Sequence, residues 1–185
     1  MTDLRYPIGE FSHAGPLGRE TRRACISRIA AAPARLRAAV AGLSDHQLDT
    51  PYRPGGWTLR QVTHHLPDSH VNGYVRFRLA LTENAPRITA YDEAAWARLP
   101  DTALPVSSSL ALLEALHARW VLLLERIEEQ DWQRVFHHPG QRRDLTLDEA
   151  LALYAWHGEH HTAHITSLRT RMRWDAPKPA APLSE

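Results

Sequence analysis

TLDEALALYAWHGEHHTAHITSLRTR (146–171) is the stretch from which the fold is read. Thr146 and Glu149 have capping-box spacing: the hydroxyl accepts from an early backbone N–H while the carboxylate reaches back, so a helix opens here and can run to about Arg171. At about 100° per residue, with His160 as origin, Leu153 falls near 20°, His164 near 40°, His157 near 60°, Leu168 near 80° and His161 near 100°. Four histidines thus share the face that must point into the protein, while Glu159 and Thr166 point away. Burying four imidazoles is costly unless each has a partner. A metal ion satisfies several at once. Two pairs have the i, i+4 spacing that brings both rings to one ion, His160 with His164 and His157 with His161. Helical geometry alone does not choose between them.

The third ligand must come from elsewhere, and the chain has one other dense histidine cluster, His64, His65 and His70. It lies on a helix expected over about 58–83, opened by the turn YRPGGW (52–57) and a capping box of Thr58 with Gln61. Pro67 inside that helix removes a hydrogen bond to the Thr63 carbonyl and predicts a kink just after His65. His65 sits where the apolar stripe of Val62, Leu66, Gly73, Phe77 and Ala80 meets a polar one carrying Ser69, Asn72 and Arg76. Asn72 and Arg76 are read as candidate substrate-binding residues, since the planar fork of Arg76 suits a carboxylate or phosphate. The sequence HHTAH (160–164) is not the H-E-x-x-H of a zinc peptidase, because His161 stands where that motif needs its glutamate base.

Two more helical segments flank these. Leu17–Gly42 is rich in Ala, Leu and Arg, and Pro33 divides it into two helices or one kinked helix, with Gly42 as the stop. From Ser107 to Glu129, Leu110, Leu113, His117, Trp120, Leu124 and Ile127 form one apolar stripe, and His117 is read as a hydrogen-bonded core residue. A short helix is expected over 92–98 and a short hairpin within 135–144. Residues 1–16 read as an extended leader laid over the domain. Four helical segments without a strand set predict an all-α four-helix bundle spanning 1–174, with long connections and a loose tail over 175–185.

The chain of 185 residues carries 22 Lys+Arg against 21 Asp+Glu, which gives no basic footprint for nucleic acid. One cysteine, Cys25, cannot form an internal disulfide and fits a reducing compartment. No apolar run approaches the roughly 20 residues of a membrane span, and the start lacks a signal peptide's apolar stretch. A cytoplasmic protein with no membrane or nucleic-acid partner is expected.

YPIGEF (6–11), YRPGGWTLRQVTHHLPDSHVNGYVRFRLALTE (52–83), LHARWVLLL (116–124) and YAWHGEHHTAHI (154–165) resemble the YfiT branch of the DinB/YfiT-like superfamily over nearly the whole chain. The resemblance implies up-down-down-up connectivity, a homodimer, and one divalent metal ion per subunit, zinc or nickel. It places the ligands on His65, His160 and His164, leaving His157 and His161 as catalytic candidates. It also implies an enzyme that transfers a small thiol such as bacillithiol to an electrophilic substrate. Hydrolysis by a metal-bound hydroxide is the alternative, and a non-catalytic metal-binding module the second. Three neutral imidazoles leave open coordination positions, a catalytic pattern rather than a structural one.

Overall fold

The structure is a computed structural model and describes residues 3–174, so the tail expected over 175–185 lies outside the described residues. Four long helices make the frame: α1 (Arg19–Val40), α3 (Leu59–Thr82), α5 (Val106–Leu124) and α6 (Leu147–Met172). Two single-turn helices, α2 (Asp45–Leu48) and α4 (Glu93–Trp96), lie in the connections, and β1 (Val135–His138) pairs antiparallel with β2 (Arg143–Thr146).

Named contacts give the helix directions. Arg22 meets Asp148 and Arg28 meets Glu159, so α1 and α6 run parallel. His64 meets Ser109 and His70 meets His117, so α3 and α5 are parallel as well. Going from His65 to Arg76 along α3, the partners on α6 fall back from His157 to Tyr154, which makes that pair antiparallel. Ile29 and Arg37 of α1 meet His117 and Glu114 of α5 in descending order, antiparallel again. The bundle is therefore up-down-down-up. Two parallel pairs pack against each other, and the connection between the parallel helices α3 and α5 must run back along the length of the bundle, bringing Leu104 to His64 near the start of α3.

Thr58 makes the full capping box expected of it, accepting from Gln61 N while the Gln61 side chain accepts from Thr58 N. Thr146 makes only half of one: its hydroxyl accepts from Glu149 N, but the Glu149 carboxylate is drawn away to Arg143 in β2. The hairpin that places Arg143 beside this helix end supplies a stronger partner than a backbone N–H.

Pro33 does not divide α1, which runs unbroken through it; the helix loses one donor and keeps its packing. Pro67 likewise lies within an unbroken α3. Gly42 follows α1 at φ +72°, a left-handed value that glycine adopts without strain. Helix α5 stops at Leu124 rather than near Glu129, and Ile127 packs from the turn that follows.

Helix α5, with Glu114 and Arg119 its only charged residues, is by length and composition apolar enough to cross a membrane, contrary to the reading from apolar runs. It forms one wall of the bundle, with Leu113, His117, Trp120 and Leu124 buried against α1 and α3. Gly73 lets α3 and α6 close together. A Cβ there would stand 2.5 Å from the Tyr154 ring and 2.8 Å from Trp120.

Candidate metal centre

Adjacent residues on a helix point about 100° apart, and the pair His64–His65 splits accordingly. His64 turns to α5, with Nδ1 2.7 Å from Ser109 Oγ and Nε2 3.1 Å from Leu104 O. It pins the start of α5. His65 turns to α6 and lies buried beneath Trp57, with ring centroids 4.8 Å apart. Its Nε2 is 3.3 Å from Nε2 of His157. His65, His157 and His161 each present one ring nitrogen within 4.8 Å of the others. A second group shares one member: His160, His161 and His164 meet the same 4.8 Å condition.

The structure therefore gathers His65 with the pair His157/His161, and it does not gather His65 with His160 and His164. The reason lies in how the outer pair is engaged. His164 Nε2 is 3.0 Å from the Arg5 carbonyl, and its ring stacks on Tyr52 at 4.0 Å between centroids. His160 stacks on Trp156 at 4.2 Å, and its Nδ1 is buried with no partner among the described residues.

The rings are neutral at pH 7. Burial holds His65 and His160 down to about 4. Burial first, and the neighbouring rings second, push His157 and His161 well below the ordinary histidine value. Neutral imidazoles keep one lone pair each, which is the state a metal requires. The donor set fits an ion: ligand bonds near 2.0–2.1 Å in tetrahedral geometry separate two nitrogens by about 3.3 Å, the spacing found between His65 and His157.

Above these rings opens a cavity of about 400 Å³, walled in part by His157, His160, His161, Arg53, Trp57 and Glu93. The leader closes one side of it. Arg5 O meets His164, Gly9 O accepts from Trp156 Nε1 at 3.3 Å, and Phe11 lies 5.8 Å from the Trp156 ring. Trp156 is thus partly covered by the chain's own N-terminal segment.

Asn72 and Arg76 do not line this cavity. Asn72 donates to Asp68 O on its own helix, and Arg76 donates to the Tyr154 hydroxyl at 3.1 Å. Sequence reading missed two other features. One is the row His70–His117 behind His157, with 2.8 Å between His70 Nδ1 and His117 Nε2 and 3.2 Å between His70 Nε2 and His157 Nδ1. Its signal was present, because His117 interrupts an otherwise apolar stripe. The other is Tyr52 and Arg53 at the cavity mouth, which sit in a turn where helical periodicity says nothing.

An up-down-down-up bundle with a cluster of neutral histidines under an open cavity defines a class of metal-centre bundles. Within it, the model of the DinB superfamily matches residues 28–165, and the chain belongs to that family. It is 53% identical over 174 residues to proteins of Bacillus cereus and Bacillus anthracis that carry the name "Putative metal-dependent hydrolase", covering 94% of this chain and all of theirs. It is also similar to the solved structure of YfiT from Bacillus subtilis, described as "a probable metal-dependent hydrolase with an unusual four-helix bundle topology". There the TM-score is 0.91 at 49% identity, covering 94% of this chain and 99% of that one. The four-helix bundle protein TT2238 shares the fold at 21% identity, with a TM-score of 0.56.

Proposed function

We propose that this protein is a metal-dependent enzyme in which His65, His157 and His161 hold one divalent ion, zinc or nickel, and that it is a hydrolase of small substrates. The observation that carries the reading is the convergence of three neutral ring nitrogens from α3 and α6 at the base of an open cavity. The names of the relatives support the same reaction class. This ligand set replaces the one drawn from the resemblance and takes His157 and His161 out of the role of proton carriers.

When bound, such an ion supplies Lewis acidity, lowering the pKa of a coordinated water toward about 7 and that of a thiol in the same direction. The chain's residues do the rest. His65, anchored on α3, and the pair on α6 fix the donors from two rigid elements. Trp57 covers His65 and excludes water from that side. Glu93 is the carboxylate among the residues lining the cavity and is exposed at its rim, placed to accept a proton from a nucleophile. Arg53, on the same wall, favours a substrate bearing an acidic group.

Thiol transfer is the second reading. The site has no thiol of its own, since Cys25 is buried within α1, so a small external thiol would enter the same cavity, and Arg53 suits an acidic one. The test compares metal-loaded and metal-stripped protein on a panel of esters and amides, and on monochlorobimane with or without bacillithiol, glutathione or cysteine. Metal-dependent, thiol-independent turnover supports hydrolysis. Conjugation that requires a thiol overturns it in favour of transfer. Inertness on both panels, with tight metal binding retained, contradicts an enzyme.

A further inference from the structure

A neutral imidazole has one N–H and one lone pair, so fixing the role of either nitrogen fixes the other. In the core of the bundle the fixed point is a backbone carbonyl. Pro33 has no N–H, so the Ile29 carbonyl, four residues earlier on α1, lacks its helical donor. His117 of α5 takes that place, with Nδ1 2.7 Å from Ile29 O.

A carbonyl only accepts, so His117 carries its proton on Nδ1 and its lone pair on Nε2. That lone pair is 2.8 Å from His70 Nδ1, which therefore donates, leaving His70 Nε2 as an acceptor. His157 Nδ1 stands 3.2 Å from it and must donate in turn. The remaining lone pair of His157, on Nε2, faces His65. Three successive assignments follow from one carbonyl on the far side of the bundle. Both intermediate rings are buried in the core, and the partners that face their nitrogens are neighbouring rings and a backbone carbonyl, none of them charged like a carboxylate.

A shorter string acts on the other α6 histidine. His164 Nε2 donates to the Arg5 carbonyl at 3.0 Å, which leaves the lone pair on its Nδ1. His161 Nδ1, 3.3 Å away, donates to it and keeps Nε2 free.

We propose that His117 and His70 are positioning residues that set the tautomer of His157, that His164 does the same for His161, and that both strings present Nε2 lone pairs to the ion from anchors on backbone carbonyls. The proposal rests on the metal reading above. Outer partners that orient a ligating histidine typically change metal affinity about 10–100-fold when removed.

The first test needs no metal. In metal-free protein labelled with ¹⁵N at histidine, long-range ¹H–¹⁵N correlation is expected to show Nδ1–H tautomers for His117, His70, His157 and His161, and Nε2–H for His164. An Nε2–H tautomer at His157 or His161 overturns the proposal. The second test is zinc affinity by competition with a chromophoric chelator. His117→Leu removes the acceptor of His70 and is expected to weaken zinc binding about tenfold. His117→Gln is expected to recover most of that loss, because its amide can donate to Ile29 O and accept from His70 Nδ1. His164→Leu and His164→Gln should repeat the pattern from the Arg5 side. Wild-type affinity in His117→Leu and His164→Leu overturns the proposal, and should either fail to fold, the glutamine variants and the wild-type tautomers decide. Unchanged zinc binding in His65→Ala would instead mark failure of the metal reading itself.

Discussion

Near the start of α6, Asp148 is fully buried and accepts from Arg22 Nε at 2.6 Å, Arg22 Nη2 at 3.0 Å, Leu17 N at 3.0 Å and Gln133 Nε2 at 2.9 Å. Three turns further along the same helix, His157 and His161 meet His65 with ring nitrogens turned toward one another and no carboxylate among them. Both regions place polar groups in the core. In the first, opposite charges and four donors answer the carboxylate, so the chain closes the centre by itself. In the second, the protein orders neutral rings from behind and leaves the front nitrogens for something it does not encode. A closed centre contributes to the architecture. An open one points to a ligand.

The largest expected effect tests the closed centre. Asp148→Ala leaves Arg22 buried at 7% side-chain exposure and without its main partner, and should cost about 3–5 kcal/mol in urea unfolding. Zinc affinity of the folded fraction should not change. A parallel loss of affinity would show that the two regions are one coupled unit and would break the comparison.

Acid probes the open side. His117 titrates near 4 in the folded protein because burial opposes its charge, against an ordinary value of 6.5. The native state therefore binds fewer protons than the unfolded chain below pH 6.5. Its contribution is fully present above that pH and is lost as pH falls toward 4, on the order of 3 kcal/mol. Urea midpoints followed from pH 7 to pH 4 should fall accordingly, and a flat profile would mean the ring charges without cost.

The smallest effect separates the two candidate ligand sets. His160 Nδ1 is buried without a partner among the described residues, so His160→Phe should be neutral or stabilise by up to about 1 kcal/mol. Zinc affinity should stay within a few-fold of wild type. Loss of zinc in this variant would restore the set His65, His160 and His164.

Most of the frame was legible because its signals are local. The Thr58 box, the α5 stripe and the hairpin each depend on residues a few positions apart. The face of α6 was legible too, since one period places all four histidines inward. What one period cannot give is the rotation of α6 relative to α3. The two i, i+4 pairs lie about 60° apart on the wheel at their centres, and only packing selects the one that faces His65. Asn72 and Arg76 could not be oriented for the same reason: a polar stripe beside a ligand can turn to its own helix or to Tyr154, as these two do, as readily as to a cavity. At Pro33 the sequence left open two helices or one kinked helix; α1 is a single helix, and the freed Ile29 carbonyl is satisfied by His117 from another helix. Arg22 gave no local signal, because its partner is 126 residues away.

Anomalous diffraction from crystals soaked in zinc tests the central claim most directly. The account expects one peak per chain, bonded to His65 Nε2, His157 Nε2 and His161 Nε2 at about 2.0–2.1 Å. A peak bonded to His160 and His164 in place of His157 and His161, or no peak beside His65 at all, would contradict it.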